Sequence, residues 1–219
     1  MKKLFLALML DLGFGLNVYA SNNTPESVIT SFLEAMRNGD EIKAKTYLDL
    51  NISTGIIKAE YSELNGDKKF INIEGASDIE YTISPSAKQI IIKEKNQDLK
   101  LFNIDGVIKD ITKKSYVSQA GSIFPKEEIL KTTPTYLWHS QVKFIDETRI
   151  AYVSQMPYFG NAATNKFIWI YDITSAKETA LWNLAGPDTT LGEVDPTRGI
   201  SATINQAKYF INGDGVVTQ

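Results

Sequence analysis

Two short segments decide most of what this chain can become. Ile90-Ile91-Ile92 and Phe167-Ile168-Trp169-Ile170 are apolar at every position, whereas a strand with one wet face alternates apolar with polar residues. Such strands need cover on both sides, which sheets stacked face against face provide. Each segment sits inside a longer pattern that occurs twice, over 79–112 and 142–180. A strand leads to a polar turn (Ser84-Pro85-Ser86; Asp146-Glu147-Thr148) and then to a second strand (Ile90 to Lys93; Ile150 to Val153). After a connection comes a third strand ending Leu101-Phe102-Asn103-Ile104 or Ile170-Tyr171-Asp172-Ile173, followed by a turn and a lysine-bearing last strand. Each copy reads as a four-stranded antiparallel meander.

The strand period begins near Ile56 and runs to the C-terminus, so 56–219 is expected to be one β domain. A partial third unit is expected over 200–218, where Ala207 to Thr218 reads as strand, Asn-Gly-Asp-Gly turn and strand. The turn-rich stretch from Asn183 to Gly199 reads as a long surface loop. Before the β domain, 21–55 is expected to be a helical hairpin. Thr24 is placed to cap its first helix, Pro25 fits the first helical position, and Val28, Ile29, Phe32, Leu33 and Met36 share a face. Asp40 would cap a second helix over 41–48.

The Ser84-Pro85 turn, Ile150-Ala151-Tyr152-Val153 and Ile170-Tyr171-Asp172-Ile173 together resemble blades of TolB-type and related β-propellers. That resemblance implies stacked blade-like sheets. The length limits it: closed rings take four to eight four-stranded blades, and at most about three and a half units fit here. The N-terminal Pro-Glu cap, Gly39-Asp40 and Tyr47 resemble the opening helical pair of the NTF2-like superfamily, which implies a curved sheet. The fold expected is therefore mainly β (α+β): a helical hairpin, then stacked antiparallel meanders, propeller-like but too short for a standard closed ring. A two-layer β-sandwich and an NTF2-like cone are the alternatives.

The first residues, MKKLFLALML, carry two lysines and then an apolar run, and Val18-Tyr19-Ala20 precedes Ser21. This is the layout of a signal peptide over 1–20 cleaved after Ala20, and it implies export to the periplasm or the medium. The run is too short to span a bilayer, and Asp11 interrupts it, so no stable membrane anchor is expected after cleavage. Removing the leader takes two of 23 basic and one of 26 acidic residues, leaving 21 against 25. With no basic cluster, binding of nucleic acid through its phosphates is not expected.

Chemistry is sparse. The chain has no cysteine, hence no disulfide, thiolate metal site or cysteine nucleophile. His139 is the only histidine; with no Gly-x-Ser-x-Gly turn it reads as a strand-entry residue rather than a triad base. Neither a catalytic residue nor a metal or cofactor site is assigned. Asn103, Asp105 and Asp110 around Gly106 have a faint calcium-loop spacing that a β-turn explains equally well. Asp188, Glu193 and Asp195 cluster in sequence and would be the acids of a secreted glycan or peptide hydrolase.

The feature with no structural necessity is the connection from Gln155 to Lys166, which the first copy makes in a few residues at Asn96-Gln97-Asp98. Its Tyr158 and Phe159 can stack on a sugar or peptide while Asn161 and Asn165 bond its edges, and Arg198 can take an anion. Pro134, Trp138 and Trp182 are weighed as extensions of that surface, although tryptophans beside strands are usually core. The reading is an exported, non-catalytic binding or protein-interaction module with an unidentified protein or glycan partner. Open sheet edges make a homo-oligomer conceivable.

Overall fold

A computed structural model describes residues 46–75, 79–156 and 165–219, all within one compact unit, Lys43–Gln219. The leader and most of the expected helical hairpin lie outside the described residues. One part of that hairpin is corrected. Thr46 to Leu48, expected to end a helix, belong to β1 (Thr46–Ile52), which pairs along its whole length with β2 (Gly55–Leu64). The segment has strand period: Leu48 and Leu50 face inward, and Tyr47 and Asp49 face out. With β3 (Asp67–Glu74) these strands form a first, three-stranded sheet.

Three four-stranded antiparallel meanders follow in chain order. The second sheet is β4 (Glu80–Ile83), β5 (Gln89–Lys93), β6 (Leu99–Asn103) and β7 (Ile108–Asp110), matching the first sequence copy. After it come a β8 (Ser115–Val117) and β9 (Ile123–Pro125) hairpin and α1 (Lys126–Thr132), the one helix among the described residues. The third sheet is β10 (Ser140–Phe144), β11 (Arg149–Gln155), β12 (Lys166–Asp172) and β13 (Lys177–Gly186). The fourth is β14 (Thr190–Asp195), β15 (Gly199–Ile204), β16 (Ala207–Ile211) and β17 (Val217–Thr218).

The surface loop expected from Asn183 to Gly199 is therefore wrong. Most of it is strand, in β13 and β14, and the third unit is complete. Its glycines mark close backbone approaches rather than loop: a Cβ on Gly192 would stand 2.4 Å from Ser201 Oγ, and one on Gly199, at φ +90°, 2.1 Å from the Ile211 carbonyl oxygen.

Three cores lie between successive sheets, as the two-faced strands require. On β5, Ile90 and Ile92 turn toward Leu50, Ile57, Ala59 and Phe70 of the first sheet, while Ile91 turns toward the third. On β12 the two faces differ in kind. Phe167, Trp169 and Tyr171 join an aromatic core with Tyr116, Trp138 and Tyr152, whereas Ile168 and Ile170 meet Leu191, Ile200 and Ala202 of the fourth sheet in an aliphatic one. The result is a stack of four open sheets, mainly β and propeller-like, rather than a two-layer sandwich or a single curved cone.

Polar ties fix the sheets in register. The Glu147 carboxylate accepts from Ser86 N–H and, at 2.6 Å, from its hydroxyl. Gln97 (φ +62°) and Gln141 (φ +53°) each reach the backbone of the next sheet or its lead-in. Gln141 accepts from Leu191 N–H at 2.7 Å and donates to the Thr189 carbonyl at 3.3 Å. Arg149 links Asp146 on the third sheet to Asp214 on the fourth, the latter at 2.6 Å.

Because the two-faced strands close separate cores, Ile91→Ala and Ile168→Ala are each expected to cost about 2–5 kcal/mol. Ile56→Ala, at a site 63% exposed, should stay within about 0.5 kcal/mol. Urea unfolding midpoints at unchanged slope decide this, and an Ile168→Ala loss as small as that of Ile56→Ala would contradict a closed core between the third and fourth sheets.

Candidate functional site

One end of the stack collects the features that sheet formation does not need. The β5–β6 turn and the β11–β12 connection both emerge there, and the segment leading into β10 runs between them. Gln97 Nε2 donates to the Tyr136 carbonyl at 2.8 Å, and its Oε1 accepts from Trp138 N–H at 2.7 Å. Leu137 N–H donates to Gln155 Oε1 at 2.8 Å, and Gln155 N–H returns to the Leu137 carbonyl at 2.9 Å. The ends of the long connection are therefore built in: Met156 and Ser154 are fully buried and Asn165 is half-buried. Tyr158, Phe159 and Asn161, expected to contact a ligand, lie outside the described residues.

Trp182 stands beside the start of β12. Four residues of β13, Leu181 to Leu184, sit opposite the single Ile168, a wide bulge in an otherwise regular ladder. Leu181 and Leu184 pack on the aliphatic core, which leaves Trp182 and Asn183 turned outward. Trp182 is 53% exposed although the sequence favoured a core position. Its ring meets Phe167 edge-on at 5.9 Å and Trp169 at 6.4 Å, so it caps a ladder of aromatics that continues into the molecule. Trp138, by contrast, is fully buried, with its indole N–H on the Lys113 carbonyl at 2.7 Å.

Deeper in the same ladder the chain fills an aromatic box with its own cation. Lys113 Nζ lies 5.3 Å from the Tyr116 ring centre and 5.2 Å from that of Trp169, and pairs with Glu178. Glu178 also accepts from the Tyr152 hydroxyl at 2.9 Å, and burial raises that phenol well above its usual range. Nothing in the sequence around Lys113 or Glu178 marked them, because the pairing joins residues 65 apart.

His139 is buried, with Nδ1–H donating to the Gln97 carbonyl at 2.7 Å and Nε2 without a hydrogen-bond partner. Burial, with help from Lys126 and Lys113 and against the Gln97 bond and Asp98, pushes its pKa down to about 3. It is a neutral structural histidine with no access to a substrate.

The acids of the hydrolase reading are either tied up locally or exposed. Asp195 accepts from the Thr197 and Arg198 backbone and from both side chains, which holds its carboxyl well below the usual range. Glu193 is 97% exposed and sits 3.4 Å from Lys143, and Asp188 is exposed in the β13–β14 turn. At the faint calcium spacing, Asn103 Oδ1 accepts from Asp105 and Val107 N–H, closing a turn, and Asp110 is held low by Thr112, Lys100 and Lys114. No cluster of metal-binding side chains occurs among the described residues. Arg198 lies flat on Phe210, 3.4 Å from the ring centre, while bonding Asp195. It shields the outer face of the fourth sheet, away from the aromatic end.

A groove of about 690 Å³ opens at the same end, between the β5–β6 turn and α1. A smaller one, about 340 Å³, runs along β4, β10 and β14.

Fold and site together define a class: an open stack of antiparallel meanders with an aromatic, loop-rich end. No protein-family model matches the chain, and no curated protein matches it. Among solved structures it is similar to TolB from Acinetobacter baumannii, at 16% identity and a TM-score of 0.42 over 93% of this chain. The chain spans about half of that protein, 49% of its length. The sheet assignments rest on the strand pairings and cores described above.

The lone histidine supplies a clean pH test. Its folded pKa lies below the unfolded value of 6.5, so below pH 6.5 the unfolded chain binds the proton and the native one does not. Stability should fall with acidification from about pH 6.5 toward 4, approaching 1.4 kcal/mol per pH unit, and its single imidazole resonance should not shift over that range. A resonance titrating near pH 6.5 would refute the buried, neutral assignment. Arg198→Ala should cost about 1 kcal/mol by uncovering Phe210, an effect that 0.5 M salt, which screens exposed ion pairs, should not abolish.

Proposed function

We propose that this chain is an exported, non-catalytic binding or protein-interaction module of the cell envelope, recognising a protein or glycan through the loops at one end of its stacked sheets. The observation that carries this reading is Trp182: a bulge lifts a half-exposed tryptophan off an aromatic core, next to the connection whose length the fold does not require. Exposed tryptophan on a rigid sheet supplies contact area at little entropic cost, and loops on a scaffold are where specificity is usually placed. Within this reading Tyr158, Phe159 and Asn161, which lie outside the described residues, and Asn165 are further candidate contacts for the same partner.

Export rests on the leader-like residues 1–20. It is compatible with the described residues, where no helix is long and apolar enough to cross a membrane. Within the reading, an open edge strand such as β7, which exposes Ile108, is the place for self-association.

The test is a photoreactive side chain at position 182, with a second at Thr203 on the outer face of the fourth sheet, in cells that export the protein. A discrete adduct from position 182 alone is expected. Adducts from neither position, or equally from both, count against an aromatic recognition end. Trp182→Ala should abolish competition for that adduct while changing unfolding free energy by no more than about 1 kcal/mol. Hydrolysis of peptidoglycan or casein that disappears in Glu193→Gln would instead favour an enzyme.

A further inference from the structure

The 690 Å³ groove at this end is positively charged in a protein that is acidic overall. Lys95, Lys114, Lys126 and Lys131 line it against Asp98 and Glu127, while the whole chain carries a formal charge of −3. The lysines are not equivalent. Lys126 is buried and bonds Asp98 at 2.6 Å. Lys114 is held 3.0 Å from Asp110 and 3.7 Å from Asp98. These two ammonium groups are fixed in place by carboxylates that stay ionised, because the same contacts hold Asp98 and Asp110 below their usual range. Lys131, exposed in the last turn of α1, has no carboxylate partner among the described residues. Along the groove four lysines, two of them paired with Asp98 or Asp110 and Lys131 without a carboxylate partner among the described residues, face two acids, Asp98 and Glu127.

Its remaining surface is apolar: Pro125, Leu130 and Pro134 form the wall opposite the turn. Phosphate-rich polymers offer no aliphatic surface for such a wall, and no arginine lines the groove to fork onto a phosphate. An extended peptide does fit, setting carboxylates against the lysines and aliphatic side chains against the prolines and leucine. Asn96 and Gln97 are occupied with the turn and with the 136–139 segment, so charge and apolar contact, rather than main-chain pairing, would do the recognising. The volume falls within the range of ligand-binding clefts, roughly 300–1,000 Å³. The same Pro134 to Leu137 segment then runs on to Gln155, at the base of the long connection.

We propose that this groove docks a short acidic, aliphatic segment of a protein partner, an inference that rests on reading this end of the stack as the recognition face. The probe is a fluorescein-labelled peptide, Glu-Leu-Asp-Leu-Glu, followed by fluorescence anisotropy with the full chain. A Lys-Leu-Lys-Leu-Lys peptide is the charge control, and polyphosphate is the competitor. The acidic peptide should bind more tightly than the basic one, and binding should weaken as salt shortens the reach of the lysine charges. Lys95→Glu with Lys131→Glu should weaken it roughly tenfold, while the unfolding free energy changes by no more than about 1 kcal/mol per site because both are exposed.

Equal affinity for the two peptides, or an undiminished affinity in the double variant, overturns the proposal. So does displacement by polyphosphate at lower concentration than unlabelled peptide, which would make the groove a general polyanion site. Trp182→Ala should leave this peptide's affinity unchanged. A failed cross-link at position 182 with retained peptide binding would therefore remove the aromatic site alone, and the reverse pattern would remove the groove alone.

Discussion

The whole architecture depends on strands that are apolar on both faces. Burying an isoleucine side chain contributes about 1.5–3 kcal/mol relative to leaving it in water. A strand such as Ile90-Ile91-Ile92 would forfeit that on whichever face stayed wet. The second and third sheets therefore cannot stand alone, and each needs a neighbour on either side. The fourth sheet differs from them in having one polar face. Its inner face supplies Leu191, Ile200, Ala202 and Ile211 to the aliphatic core, while its outer face is polar, with Thr203 and Lys208 exposed and Phe210 roofed by Arg198.

Hydrophobic cover alone does not set the register of one sheet on the next, since apolar contact is non-directional. The polar ties supply direction. Gln97, in the β5–β6 turn, and Gln141, on β10, both sit at positive φ and spend their side-chain amides on the backbone of the following unit or its lead-in. Glu147 holds the Ser86 turn in the same way from the opposite end. A buried amide that loses such a partner costs more than the bond is worth when made, so these ties penalise any other stacking. They also explain why the sequence can repeat a unit so loosely: the repeat conserves strand faces, and single polar residues differ from interface to interface.

Much of this was legible in the chain. The two repeats were visible because apolar runs and Ser-Pro or Asp-Glu-Thr turns are local signals, and the demand for cover on both faces followed directly. What was not legible was set by long-range pairing. Thr46 to Leu48 carry helix-compatible residues, yet pairing with β2 decides their state. The stretch from Asn183 to Gly199 has the composition of a loop, yet its glycines allow β14 to lie against Ser201 and β15 against β16. Arg198, chosen as an anion ligand, is claimed by Asp195 and Phe210. The groove lysines gave no signal at all, because they are brought together from positions 95 to 131 by α1 and a turn, with no spacing that a reader of the sequence would single out.

The site and the fold meet in the aromatic core between the second and third sheets. That layer is the only one of the three built chiefly from aromatic rings, and it is the one that reaches the loop-rich end. Aliphatic cores bury area and nothing more, but tyrosine and tryptophan carry a polar edge that has to be satisfied or left at a surface. Inside, Tyr116 finds Ser154 at 2.6 Å and Tyr152 finds Glu178. At the rim, Trp182 meets the solvent. A ladder of rings with Lys113 and Glu178 at its base supports that outermost ring on one side through its edge contacts with Phe167 and Trp169. Support of this kind is what separates a recognition surface from an apolar residue that happens to be exposed. Trp182 lies at the edge of the interface the two-faced strands created.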